Sequence, residues 1–294
     1  MTGRFSRENL DRVLWRTCVR LGLDPTGARL VRFTNNAVYA LAEDAVVVRI
    51  LAADRLRHRV GKVVTLARHF QQFGISAVRL FEGVTQPLVV DDCLVTVWQQ
   101  VPEIEPASAA QLARLLHAVH AAPVPSGIER WNPVRDVRSR VEDAEGLAAP
   151  DRRFLLRRCA AVEAALDELD FPLPQGLVHG DAHPGNVIAG PAGPVLCDFD
   201  SSCVGPPEWD LTPLAVGRER FGDSPERYRE LADTYGFDVT AWEGYPVLRA
   251  ARELKLTTSV LPILHSRPRV RDELVRRLSD LRAGRQATPW SRFT

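Results

Sequence analysis

The chain has 294 residues, 45% of them hydrophobic, with 38 basic against 37 acidic residues and a formal net charge of +1. This length and apolar content suit one large domain or two smaller ones with cores of their own, and the balanced charge gives no reason to expect nucleic acid or an anionic membrane as partner. Five scattered cysteines without a C-x-x-C pair (Cys18, Cys93, Cys159, Cys197 and Cys203), a polar first segment and no apolar run near the roughly 20 residues of a membrane span point to a cytoplasmic protein with reduced thiols.

In chain order, apolar residues at helical spacing predict a helix over Leu10 to Leu21. Strands are expected at Asn36 to Leu41 and Ala45 to Leu51, around a Glu43-Asp44 turn. A second helix is expected from Val60 to Phe73, closed by Gly74. Val78 to Phe81, Leu88 to Val90 and Cys93 to Trp98 read as three more short strands. After Trp98 a segment punctuated by Pro102 and Pro106 ends the strands. Helices then dominate: Ser108 to Ala121 with Ser108 as N-cap, Asp151 to Leu169, Ser224 to Tyr235, Pro246 to Leu261 and Pro268 to Leu281. The β-like exception is Leu177 to Phe199. The fold class is therefore α+β: a small sheet-plus-helix lobe over residues 1–98, a linker over 99–106 and a larger, mainly helical lobe over 107–294.

The informative stretch is Val178-His179-Gly180-Asp181-Ala182-His183-Pro184-Gly185-Asn186-Val187-Ile188, followed by a Gly190-Pro191-Ala192-Gly193 turn and the strand Pro194 to Asp200. A turn between two apolar runs reads as a hairpin. If Ala189 pairs with Pro194, Asn186 falls opposite Cys197, beside Asp198. An amide oxygen and a carboxylate at one hairpin end are hard ligands that suit Mg²⁺. Asp181, in the Gly/Pro-rich loop before it, is placed to take the proton of an attacking hydroxyl.

H-G-D-A-H-P-G-N followed by D-F-D resembles the catalytic and metal loops of aminoglycoside phosphotransferases, which group with choline kinases and are distantly similar to protein kinases. The resemblance extends to Glu208-Trp209-Asp210-Leu211, Gly205-Pro206 and Leu116-His117. It implies a bilobal kinase-like fold whose residues 1–98 bind ATP or GTP, and a small hydroxylated molecule, such as an antibiotic or related metabolite, as acceptor. It further implies Asp181 as catalytic base, Asn186 and Asp198 as Mg²⁺ ligands with Asp200 as a second acidic ligand, and Asp210 as a brace of the catalytic loop.

The first lobe departs from this pattern. The strand lysine of such kinases is replaced by Arg49, which can hold phosphate oxygens bidentately. With a period of two, Val46, Val48 and Ile50 face one way and Arg49 the other. The helix that should offer a glutamate reads Gly61-Lys62-Val63-Val64, and the nucleotide loop Arg32-Phe33-Thr34-Asn35-Asn36-Ala37 has no glycine, leaving Thr34 and Asn35 as phosphate donors. The only lysines are Lys62, on that helix, and Lys255, expected far from the site. Gln100 belongs to the hinge that meets the base; Trp98 either flanks the base or closes the core. His117 and His120 read as packing residues and His179 as a loop brace. The segment 265–294, with eight arginines against three acids, reads as a solvated helix face and favours a neutral or anionic acceptor over a multi-amine aminoglycoside. Two readings compete: a non-catalytic nucleotide-binding pseudokinase, and a metallohydrolase built on His179, Asp181 and His183.

Overall fold

The computed structural model describes residues 6–33, 36–51, 57–264 and 268–293. It divides into two compact units, one comprising Met1–Ala107, Ala122–Ile128 and Pro184–Ser202, the other Ser108–Ala121, Glu129–His183 and Cys203–Thr294.

The first unit is built on an antiparallel sheet of β1 (Arg29–Phe33), β2 (Asn36–Ala40), β3 (Val46–Leu51), β4 (Leu88–Val90) and β5 (Cys93–Gln99), in the order β1-β2-β3-β5-β4. Helix α1 (Arg7–Leu21) packs on one face, setting Leu10, Val13, Leu14 and Cys18 against Val46, Val48, Ile50, Val95 and Val97. The period-two reading of β3 therefore holds, with Val46, Val48 and Ile50 at most 5% exposed in this core. Helix α1 begins earlier than its apolar periodicity shows, because Ser6 caps it by accepting from Asn9 N–H and the first turn is polar. Helix α2 (Arg57–Gln72) is closed by Gly74 at φ 68°, as expected.

Two expectations for this unit are corrected. Val78 to Phe81 is not a strand: Ala77 bridges Leu196 and Leu80 bridges Trp98, so the segment serves two partners in turn and no ladder accumulates. Of the expected nucleotide loop, Arg32 and Phe33 belong to β1, and Asn36 and Ala37 to β2. Strand β1 escaped the sequence reading because it is a largely exposed edge with a bulge between Leu30 and Arg32, leaving no apolar alternation to read. Thr34 and Asn35 lie outside the described residues.

The hairpin of β7 (Val187–Gly190) and β8 (Gly193–Leu196) also belongs to this unit. Ala189 pairs with Pro194 in the expected register. The hairpin is tied to the unit by Val78 N–H donating to Leu196 O at 2.9 Å, Leu196 N–H to Ser76 O at 3.0 Å and Ile104 N–H to Ala189 O at 3.0 Å.

The second unit is mainly helical. Its helices are α3 (Ala109–His120), α4 (Arg135–Asp143), α5 (Ala149–Asp167), α6 (Glu208–Phe221), α7 (Pro225–Tyr235), α8 (Tyr245–Thr258) and α9 (Arg271–Ala283), with a two-stranded ladder of β6 (Gly176–Val178) and β9 (Cys203–Gly205). Ser108 caps α3 in a complete capping box with Gln111. Helix α8 packs against α4, α5 and α6, and α3 against α7. Helix α6 is buried on nearly every side and carries Pro213 inside, so its sequence shows no amphipathic stripe. Helix α4, short and mostly polar, likewise left little to read.

Candidate active site

In the second unit the loop after β6 is fixed from beneath by Asp210, on the first turn of α6. Its carboxylate is wholly buried and accepts from His179 N–H at 2.6 Å and Gly180 N–H at 2.7 Å. His120 of α3 bridges Asp210 Oδ2 (3.0 Å) and the Tyr235 hydroxyl (2.7 Å), while His117 stacks on the Tyr235 ring at 4.2 Å. Both histidines are thus packing residues with polar partners, as expected. Gly180 takes φ 80°, a left-handed conformation that a side chain would strain, and its carbonyl accepts from Trp209 Nε1 and Lys255 Nζ, both at 3.1 Å. His179 is 1% exposed, and its Nδ1 accepts from Asp181 N–H at 3.3 Å.

This framework presents Asp181. Oδ1 accepts from Arg252 Nη1 at 2.6 Å and from Lys255 Nζ at 3.1 Å. Burial opposes ionisation of Asp181, but Lys255 and Arg252 outweigh it and hold the carboxyl well below the ordinary range. Burial pushes Lys255 down, with Asp181 opposing, and also lowers His183. The placement of Lys255 corrects the expectation that it lies far from the site. A clue was present: with 38 basic residues and only two lysines, Lys62 and Lys255 are the exceptions, and both bond loop backbone next to a motif.

In the first unit the hairpin brings the other motif together. Cys197 N–H donates to Asn186 O at 2.9 Å, which puts Asn186, 2% exposed, opposite Cys197 and beside Asp198. Asp198 adopts φ 63°, a left-handed conformation that aspartate tolerates better than most residues and that recurs at functional loops. Burial, together with the neighbouring Asp200 carboxylate, raises Asp198 to about 6. Arg32 Nη1 approaches Asp198 at 3.4 Å.

Asp200 is paired with Arg49. Burial works against its ionisation, yet Arg49 holds it below the ordinary range. With the Asn36 amide oriented to satisfy both groups, its oxygen accepts from Arg49 Nη2 at 2.6 Å and Nε at 3.2 Å. Arg49 is therefore fixed from two sides on the sheet face opposite α1, in a small cavity lined also by Thr96, Val60 and Val63. The acid that meets the strand cation comes from the Asp198–Asp200 segment rather than from α2. On α2, Lys62 stands where a glutamate was sought, and its Nζ donates to Ser202 O at 2.9 Å.

Trp98 is 6% exposed, donates from Nε1 to Thr96 Oγ1 at 2.9 Å and meets Phe199 edge-on at 6.2 Å, so the core half of its two readings describes its surroundings. At the hinge, Gln99 and Gln100 already donate their backbone N–H groups to Arg79 O and Ala45 O.

Among the C-terminal arginines, Arg269, Arg271, Arg282, Arg285 and Arg292 are exposed, as the solvated face expected of the segment requires, and Arg277 is the departure. Arg277 is 1% exposed, bonds Glu273 at 2.8 Å and lies over the rings of Phe293, Trp290 and Phe221. Arg276, Arg285 and Arg292 pair with Glu273, Asp280 and Asp223. Among the described residues, no group of three or more His, Cys, Asp and Glu side chains is placed to hold a metal, and His179 is spent on the loop backbone, which argues against the metallohydrolase. Asn186, Asp198 and Asp200 differ in offering side-chain oxygens. Two neighbouring half-buried carboxylates, one of them with a raised pKa, fit a hard divalent cation.

A phosphotransferase enzyme family model matches residues 19–251, and the chain belongs to that family. A curated relative, a hydroxyurea phosphotransferase from Kitasatospora aureofaciens, is 33% identical over 141 residues, spanning 46% of this chain and about two fifths (41%) of that protein. Among solved structures, an amicoumacin kinase in complex with AMP-PNP and Ca²⁺ is similar with a TM-score of 0.73 at 14% identity, covering 97% of this chain and 98% of that one. The choline kinase of Streptococcus pneumoniae gives 0.67 at 15% identity, over 92% and 99%. A spectinomycin phosphotransferase bound to AMP gives 0.61 at 15%, over 92% and 94%. At these identities the solved structures establish the fold, which is the kinase-like α+β fold expected from the sequence.

Proposed function

We propose that this chain transfers the γ-phosphoryl group of ATP or GTP to a hydroxyl of a small molecule in the cytoplasm. The observation that carries this reading is the Asp210-braced loop presenting Asp181, in a family member that also retains the Asn186–Asp198 hairpin end. In the reaction, the acceptor oxygen bonds to the γ-phosphorus and the bond to the β,γ-bridging oxygen breaks. The nucleoside diphosphate leaves with that electron pair, and the hydroxyl proton passes to Asp181. Asn186, Asp198 and Asp200 would hold Mg²⁺, which when bound neutralises phosphate charge. Arg49 steadies the nucleotide phosphates, Thr34 and Asn35 add donors to them, and Gln100 borders the base. Catalysis is then mainly positioning and charge compensation.

The test is a screen of hydroxylated antibiotics and metabolites, hydroxyurea included, with ATP and GTP, read as phosphate mass gain. Mg²⁺-dependent gain on an acceptor is expected; nucleotide binding without any turnover would favour the pseudokinase, to which the Arg49–Asp200 pair and Lys62 lend support. Multi-amine aminoglycosides are expected to be poor acceptors, because Asp181 is flanked by Arg252 and Lys255 rather than by acids. Micromolar KM for kanamycin would contradict this.

Arg49→Ala is expected to weaken nucleotide binding about 10- to 100-fold, the loss of a charge-assisted pair of hydrogen bonds. Arg49→Lys, which keeps the charge but not the fork, should fall between the two. Titration calorimetry with ATP and Mg²⁺ measures both, and an unchanged Kd in Arg49→Ala removes Arg49 from the nucleotide site.

A further inference from the structure

Helix α8 places Arg252 and Lys255 three residues apart, hence on one face, and both cations meet the same oxygen of Asp181. One carboxylate is set against two full positive charges, and Arg140 of α4 adds to the positive field at Lys255. Lys255 is further steadied by Gly180 O and by the Trp209 ring 5.9 Å away. Arg252 is 7% exposed, and its Nε has no hydrogen-bond partner among the described residues. A buried guanidinium N–H left unpaired is costly, and the Nε edge of arginine forms the fork that matches a carboxylate or phosphate. Two cations meet one carboxylate, and an unsatisfied donor lies beside them.

Resting on the kinase reading above, we infer that the acceptor carries an anionic group, a carboxylate or a phosphate, beside the hydroxyl that is phosphorylated, and that Arg252 and Lys255 receive it. The anion satisfies Arg252 Nε and offsets positive charge. In drawing the two cations away from Asp181 Oδ1 it also returns to that carboxylate the basicity they suppress, so that the hydroxyl proton has an acceptor. A neutral or cationic acceptor leaves Asp181 clamped. Arg252 and Lys255 would thus set specificity by coupling acceptor charge to the state of the base.

The experiment uses four probes that share one skeleton: glycerol, glycerate, glycerol phosphate and aminopropanediol. Each is titrated calorimetrically into the full chain with Mg²⁺ and a non-hydrolysable ATP analogue. Glycerate or glycerol phosphate is expected to bind at least about tenfold more tightly than glycerol and aminopropanediol, the tighter of the two identifying carboxylate or phosphate as the group received. Arg252→Gln and Lys255→Met should each shrink the preference to about threefold or less, and Asp181→Asn, which removes the competing carboxylate, should strengthen anion binding. Anions that bind no better than glycerol, or a preference that survives both cation variants, overturn the inference. Binding of the Mg²⁺–ATP analogue reports on the parent reading: nucleotide binding without anion preference removes only the acceptor class, whereas absence of nucleotide binding removes the kinase assignment itself.

Discussion

Asp181→Ala should lower kcat by about 10²- to 10⁴-fold, the range associated with removing a general base, while nucleotide affinity stays within about twofold. The two effects separate because Asp181 contacts Arg252, Lys255 and its own loop, whereas the residues proposed to hold nucleotide and metal belong to the other unit. Asp181→Asn keeps the shape and discards the charge. It should be nearly as inactive as alanine if proton acceptance matters, and much more active if the side chain serves only to fill the loop. Single-turnover rates with saturating ATP, measured beside nucleotide titration, decide between them. A variant that turns over normally would falsify the assignment of the base.

Asp210→Ala is expected to cost stability as well as rate. The substitution strands the buried N–H groups of His179 and Gly180 and removes a partner of His120. Each unsatisfied buried donor costs about 1–3 kcal/mol, so a total of about 3–5 kcal/mol is expected, as when one partner of a buried charged network is removed. For a chain of this size that corresponds to a Tm lowered by roughly 10 °C. Activity should fall further than the lost folded fraction explains, because the loop bearing Asp181 loses its two backbone anchors. Asp210→Asn retains one acceptor oxygen and should show a smaller drop in both. Thermal denaturation and kcat at a temperature where both variants are folded provide the measurements; an Asp210→Ala protein with wild-type Tm and kcat would show that the loop is held by something else.

The features legible in the sequence are those written in local periodicity and turn chemistry. The alternation of Val46, Val48 and Ile50 fixed the face on which Arg49 stands, because strand side chains alternate regardless of what packs on them. The turn at Gly190-Pro191-Ala192-Gly193 fixed the register that sets Asn186 beside Asp198. Ser108 announced its helix as an N-cap, a signal that needs only a few residues of context. Where these signals were absent, at the bulged edge strand β1 and the fully buried α6, the elements went unread although they frame the site.

From its own residues the sequence thus determined the two loop motifs, their order and the donor types they carry, since each is a contiguous run whose chemistry is local. Tertiary structure alone decided which charges meet. Arg49 finds Asp200 across 151 residues, and Arg252 and Lys255 reach Asp181 across 71 and 74. In the C-terminal segment Arg277 is buried on Glu273 and the Phe293 ring, whereas Arg285 and Arg292 pair with Asp280 and Asp223 while remaining exposed. No periodicity links positions so far apart; ion pairing between them depends on how helices such as α8 are rotated in the packed unit, and that rotation is set by the core. Positive charge does stand beside Asp181, but it comes from two residues on α8 and not from the arginine-rich C-terminal segment.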